Sequence, residues 1–201
     1  MKFQQVRNRP IKSWEHFCKI VEKLERVYPE KFTCKMFCVD TVDVLYRHLV
    51  AFICRKLDIN HPSELPFSKG YDAIKTEWSV WINRLAAIGP GVIFIAHAKE
   101  RPNLKDDDLR KGETLLSPNI PGTGFEVLNS LCDLILCVEC SSRLVNQTIK
   151  GKKSVVRKYK RELITKPGGN MELGGDRSGR LPEKLAFDYA VFKDAFAQLN
   201  E

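Results

Sequence analysis

The sequence has no long apolar run. Stretches such as Val92-Ile93-Phe94-Ile95-Ala96 stop far short of the ~20 consecutive apolar residues that a membrane-spanning helix needs, so no helical span and no membrane partner are expected. A basic-then-apolar leader is also lacking, because Met1-Lys2-Phe3-Gln4-Gln5 runs into a charged, helix-like segment; the expectation is a cytoplasmic protein. Neither an internal repeat nor a low-complexity tract is present. With 43% hydrophobic and 29% charged residues over 201 positions, the composition argues against disorder and, at ~150 residues per domain, for one folded domain. Gly-x-x-x-x-Gly-Lys-[Ser/Thr] occurs nowhere: Gly168, Gly169, Gly174, Gly175 and Gly179 precede no Gly-Lys-[Ser/Thr], and Gly151-Lys152 is followed by Lys153. Backbone amides and the lysine of such a loop supply most of a phosphate cradle. Efficient ATP binding by this polypeptide alone is therefore not expected.

Acidic residues are missing from one stretch in particular. From Ser141 to Arg161 the basic residues Arg143, Lys150, Lys152, Lys153, Arg157, Lys158, Lys160 and Arg161 meet no Asp or Glu, within a chain of net charge +8. Such a stripe suits a phosphate backbone, where each neutralised phosphate releases counterions, and it equally suits a solvated hairpin that serves solubility. The cysteines are seven, an odd number, at 18, 34, 38, 54, 132, 137 and 140. Several sit in apolar runs, where a reduced thiol packs as a small hydrophobe. Cys34 and Cys38, or Cys137 and Cys140, could be proposed as a zinc site, the second pair having the spacing of a metal knuckle, but Cys137 to Cys140 ends a strand-like run, Leu134 to Val138, rather than a glycine turn, and core thiols are the preferred reading.

Helical and strand periods alternate along the first two thirds. Ser13 precedes Trp14, Phe17, Cys18, Val21 and Leu24, one face of a helix that ends before Pro29. Met36 to Val39 reads as a strand covered on both faces, stopping at Asp40. Val42, Leu45, Leu49, Phe52, Ile53 and Leu57 return to helical spacing, and a second long helix carries Ile74, Trp78, Ile82 and Leu85 before Gly89-Pro90-Gly91. Val92 to Ala96 is a second buried strand, ended by His97. A long polar loop follows from Ala98 to Pro121 with Asp106, Asp107 and Asp108, the kind of segment that is usually functional. A short helix over Gly122 to Leu131, a third strand at Leu134 to Val138, a hairpin turn at Ile149 to Lys153, an exposed strand from Val155 to Thr165, and a final strand and helix within Leu185 to Leu199 complete the reading. Strand-helix alternation calls for parallel strands with right-handed crossovers, and the last third adds antiparallel strands at one edge. The fold class is α/β, a mostly parallel sheet flanked by helices.

Three places carry candidate chemistry. Met36-Phe37-Cys38-Val39-Asp40-Thr41 has the form of a Walker B element, in which a strand delivers a carboxylate to the ligand-binding edge of a parallel sheet. An aspartate there holds the water shell of Mg²⁺ on nucleotide phosphates; alternatively, Asp40 caps the following helix. His97 reaches the same edge, either to sense a terminal phosphate or as a loop histidine bonded to a backbone carbonyl. Lys166-Pro167-Gly168-Gly169 and Gly174 to Pro182 form a glycine-rich, basic region in which Arg177 suits an anion across a subunit boundary, and which equally suits ordinary turns.

Taken in order, the segments Pro10 to Phe17, Met36 to Tyr46, His61 to Tyr71, Gly91 to His97, Cys132-Asp133, Thr165-Lys166-Pro167 and Gly175 to Pro182 resemble the RecA-like ATPases of phages and bacteria of the single-strand annealing type, the phage nucleotide-binding or AAA-domain proteins. The resemblance covers about residues 10 to 196. It implies a RecA-like P-loop core using ATP and Mg²⁺ and binding single-stranded DNA in recombination. Asp40 would then be the Mg²⁺-side carboxylate next to Thr41, His97 the sensor that couples phosphate state to the following loop, and Lys166 and Arg177 the contacts to nucleotide at a neighbouring subunit. Lys150, Lys152, Lys153, Arg157 and Lys158 are the candidate DNA contacts. Such ATPases open with a strand, the P-loop, a helix and a strand bearing an acid that activates water. The expectation is accordingly a single N-terminally incomplete domain, a truncated or split product, weak in hydrolysis alone and joined to copies of itself or to a P-loop-bearing partner. A non-catalytic module that binds single-stranded DNA or another subunit is the alternative.

Overall fold

The computed structural model describes residues 10–102, 114–149, 152–166 and 174–197, with backbone only at 114–115, 146–149 and 152–154. The chain divides into two compact units, residues 1–97 with 118–131, and residues 98–117 with 132–201.

In the first unit, α1 (Trp14–Val27) starts where Ser13 Oγ accepts the His16 N–H, and it buries Trp14, Phe17 and Val21. Then come β1 (Met36–Asp40), α2 (Val42–Leu57), α3 (Lys69–Ala87), β2 (Gly91–Ile95) and, last, α4 (Gly122–Leu131). The strands β1 and β2 pair in parallel, with Met36 opposite Gly91 and Asp40 opposite Ile95. Leu45, Leu49 and Ile53 of α2 and Ile74, Trp78 and Ile82 of α3 share one core with α1. Its centre is aromatic: Trp78 lies 5.8 Å from Trp14 and meets Tyr46 edge-on at 5.2 Å. The Trp78 indole N–H donates to Gly124 O at 3.1 Å, which satisfies the buried donor and ties α4 to α3. Gly124 has to be glycine, since a Cβ there would stand 2.6 Å from Tyr46 Cε2.

Both strands were expected to be covered on both faces, and here the structure corrects the sequence. Phe37, Val39, Val92 and Phe94 pack on the helical core, while Met36, Ile93 and Ile95 on the other face are 51%, 45% and 42% exposed. Side chains alternate along a strand, and the helices of this unit cover a single side of the pair. A short apolar run looks the same in sequence whether one face is covered or two.

The second unit contains β3 (Ala98–Pro102), which pairs with β4 (Thr114–Pro118). The long polar loop expected over 98–121 therefore begins and ends as strand, and the three aspartates 106–108 lie outside the described residues. Leu134 to Val138, expected as one strand, is divided between two partners. Its first half is β5 (Leu134–Ile135), and Cys137 opens β6 (Cys137–Ile149), which forms a long antiparallel ribbon with β7 (Lys152–Ile164). Residues 139–149, to which no strand was assigned, are thus strand, because polar residues on both faces hide the alternation. β5 pairs antiparallel with β8 (Gly175–Asp176), and β9 (Lys184–Ala186) extends the base of the ribbon on β7. The chain closes in α5 (Tyr189–Ala197), whose Phe192 and Phe196 rings stack at 5.9 Å. Leu163, Leu181 and Leu185 form a small core under this base. The architecture is mixed α/β, and no helix among the described residues is long and apolar enough to cross a membrane.

Candidate functional site

Parallel pairing brings the ends of β1 and β2 to one edge of the first unit, and with them Asp40 and His97. The Asp40 side chain is exposed and makes no hydrogen bond or ion pair among the described residues. It is not the cap of α2. That position belongs to Thr41, whose side chain makes no capping bond, and the Asp40–Thr41 peptide is cis. The Thr41 Oγ1 is itself buried without an aligned hydrogen-bond partner among the described residues.

Asp43, in the first turn of α2, sits 3% exposed immediately behind. Its carboxylate accepts the His97 backbone N–H at 3.2 Å and faces His97 Nδ1 at 3.2 and 3.1 Å from its two oxygens. Burial works against the charge on Asp43. The bonds from the His97 ring and N–H, with smaller help from the nearby Thr41 hydroxyl and the His97 charge, outweigh burial and hold the carboxyl below its ordinary value of 3.8. An ionised carboxylate only accepts, so Nδ1 carries the proton and Nε2 is the ring atom left to a ligand. On its other side the His97 carbonyl accepts the Asn119 N–H at 2.7 Å. Of the two readings of His97, the ring bonded to a backbone carbonyl is not what forms. The ring is anchored on a carboxylate and remains 66% exposed. Asp43 is not singled out by the sequence, since nothing local pairs it with a residue 54 positions away.

A Mg²⁺ ion is normally held by one or two carboxylates, several waters and substrate phosphates. The exposed Asp40 carboxylate fits one edge of such an ion through its waters, whereas the Thr41 hydroxyl is buried beside Asp43. Asp43 is spent on His97, and among the described residues no group of three His, Cys, Asp or Glu is placed to hold a metal. For a triphosphate the residues present do not fit: neither a glycine-rich amide cradle nor its lysine is in the sequence.

The remaining candidates lie in the second unit. Lys166 follows the fully buried Thr165, whose hydroxyl donates to Pro182 O. Arg177 is engaged within its own chain: Nη1 is 3.3 Å from Asp133 Oδ1 and its backbone N–H donates to Asp133 O. The next loop is organised by Asp176, whose carboxylate accepts the N–H groups of Ser178, Arg180 and Leu181 and the Ser178 hydroxyl. The Leu181 amide, then the Ser178 hydroxyl and the other amides, bring Asp176 down to about 2 against desolvation. Gly174 to Pro182 is thus built by an aspartate, a role that its glycines concealed. Arg157 and Lys158 stand exposed on β7; Lys152 and Lys153 belong to β7 by their backbone, and Lys150 lies outside the described residues. The seven cysteines are free thiols. Cys137 is buried opposite Ile164 and Cys140 is exposed opposite Arg161. Being three apart on a straight strand, they point to opposite faces and cannot share a metal.

A family model described as an AAA domain matches residues 1–171. The SPbeta prophage-derived uncharacterized protein YorG of Bacillus subtilis (strain 168) is 33% identical over 95 residues, 45% of this chain and 29% of that protein. The match therefore spans less than a third of the relative. No solved structure matches the chain.

Proposed function

Because this chain belongs to the AAA-domain family, we propose that it is a nucleotide-responsive, RecA-like domain of a phage-type DNA recombination or single-strand annealing protein. The observation that carries the nucleotide half is the Asp40–Thr41 and Asp43–His97 arrangement at the ends of two parallel strands. Where a P-loop-bearing partner supplies the phosphate cradle, Asp40 would take the Mg²⁺ side of ATP through ordered water. His97, anchored through Nδ1–H on Asp43, would donate Nε2–H to the terminal phosphate as the doubly protonated ring, and its main chain leads directly into the segment after Ala98. Thr41, Lys166 and Arg177 are the further nucleotide contacts, the last two toward a neighbouring copy or a P-loop-bearing partner. For Arg177 this requires release from Asp133.

Without a phosphate cradle the chain alone is a weak ATP binder and a poor ATPase. Isothermal titration with Mg-ATP tests this. Binding no tighter than about 1 mM is expected, and tight binding abolished by Asp40→Asn would overturn it by showing that the Asp40 edge suffices.

A second reading, of a non-catalytic module for single-stranded DNA, is favoured by the β6–β7 ribbon, where Lys152, Lys153, Arg157 and Lys158 fall, with Lys150 beside them in sequence, in a stretch with no acid. It expects binding whose logarithm falls with log salt by about 0.7 per phosphate neutralised. Changing Lys152, Lys153, Arg157 and Lys158 to Ala without loss of binding would remove this reading.

A further inference from the structure

Antiparallel register sorts the ribbon into two faces, because directly opposed residues project to the same side. Cys140 faces Arg161, Ser142 faces Tyr159 and Leu144 faces Arg157 on one side; Ser141 faces Lys160, Arg143 faces Lys158 and Val145 faces Val156 on the other. The two sides are not equivalent. On the second, Lys160 Nζ is held by Glu162 at 2.8 Å and the Val145–Val156 pair is half-buried. On the first, Tyr159 is 69% exposed and Leu144 66%, and Arg157 and Arg161 make no ion pair among the described residues.

We infer that the ribbon takes single-stranded nucleic acid on the Tyr159 face, with the Tyr159 ring as the platform for a base and Arg157 and Arg161 on either side for phosphates. This rests on the nucleic-acid reading of the ribbon proposed above and adds to it the face, the aromatic residue and the preference for a single strand. Folding gains little from an aromatic ring left in water opposite a serine. Residues two apart on a strand stand about 7 Å from one another, so the two guanidinium groups flank the ring closely. Arginine suits this place better than lysine, since its planar fork binds phosphate in two-point fashion and lies against rings. A run of charge without a single acid fits a polyanion rather than a protein surface of mixed sign. A flat exposed ring asks for a flat partner, and in a duplex the faces of the bases are hidden by stacking, whereas a single strand offers them.

The test uses the full chain, a fluorescent oligo(dT) of about 20 nucleotides, longer than the 4–16 that one small binding module occupies, and the same strand annealed to oligo(dA), followed by anisotropy. Tyr159→Ala is expected to weaken single-strand binding about ten-fold, as loss of one stacked base does, with Tyr159→Phe close to wild type and duplex binding little changed. Arg157→Ala with Arg161→Ala lowers both affinity and salt slope, and does so more than Arg143→Ala with Lys158→Ala on the other face. The inference is overturned if wild type binds while Tyr159→Ala changes its affinity by less than about two-fold, if the loss is equal on duplex, or if the other face matters as much. Absence of binding by wild type to either probe at low salt would instead sink the nucleic-acid reading of the ribbon, and this inference with it.

Discussion

The two units of the chain spend their apolar residues differently. In the first, Trp14, Trp78, Leu49, Ile74 and Ile82 are all fully enclosed, and helices from four places in the sequence meet around one indole. In the second, the buried leucines among the described residues reduce to Leu163, Leu181 and Leu185, and much of the chain goes into a ribbon whose outer part leaves Leu144, Val155 and Tyr159 in water. A two-stranded ribbon is marginal alone in water, so this one draws its order from its base, where β9 joins it and Thr165 is sealed. The first unit holds the Asp40 and His97 edge against a packed core, and the second leaves a ribbon largely exposed. Under the proposed function, a packed edge suits a small, geometrically demanding ligand and an exposed ribbon an extended one.

The contrast is broken most directly at the aromatic centre. Trp78→Ala removes the ring that touches Trp14 and Tyr46 and the donor to Gly124 O, and is expected to cost about 3–5 kcal/mol. All three tryptophans lie in the first unit, so Trp14 and Trp81 fluorescence during urea unfolding reports on it while far-ultraviolet circular dichroism reports on both. If the units are as independent as their cores, the fluorescence midpoint moves and part of the dichroism change stays behind; a single coincident shift would show one cooperative body. Next in size is Gly124→Ala, where the new Cβ meets the Tyr46 ring and overpacking is expected to cost about 1–3 kcal/mol, measured the same way. Asp43→Ala falls in a similar range of about 1–3 kcal/mol, because it strips the His97 N–H and Nδ1 of their acceptor. Nitrogen chemical shifts of the His97 ring should then lose their Nδ1–H preference; a ring unchanged would dissociate Asp43 from the sensor role.

Legibility in the sequence followed the same division. α1 could be read from Ser13 and the spacing of Trp14, Phe17 and Val21, and β1 and β2 from short apolar runs that stop at Asp40 and before His97, since a core-facing stripe writes itself into the local pattern. What escaped is of two kinds. The open face of β1–β2 and the Asp43–His97 bond depend on residues far apart in the chain, which no local period records. The inner part of β6 and the strand β3 escaped because an exposed strand has no covered side to impose alternation: Glu139, Ser141 and Ser142 look like loop. The candidate residues Asp40 and His97 were therefore legible as positions and their environment was not, whereas the basic ribbon was legible as charge without its faces.

The turn at Asp176 sharpens the comparison through pH. Its carboxyl lies near 2 when folded, because the Leu181 amide, the Ser178 hydroxyl and further amides all donate to it, against about 3.9 for a free aspartate. The folded value is depressed, so the contribution is complete above about pH 4 and is lost as pH falls toward 2. Acid should loosen the loop around Leu181, in the second unit, over that window. Asp176→Asn should remove this pH dependence at the Leu181 amide in proton exchange or nuclear magnetic resonance; persistence of the same acid transition in the variant would assign it to another carboxyl.

The smallest expected effect discriminates best between a surface that holds the fold and one that holds a ligand. Tyr159→Ala and Leu144→Ala remove side chains that are 69% and 66% exposed, and substitutions at such places usually change stability by no more than about 0.5 kcal/mol. Melting curves of both variants should therefore overlay the wild type while Trp78→Ala melts far below it. A marked loss of stability at Tyr159 would mean that the ring supports the ribbon through its cross-strand neighbours, and the exposed arm would then have an internal reason for its aromatic. With stability unchanged, the ring is left without a task in the folded chain, and a partner is what remains to explain a tyrosine held in water between two arginines.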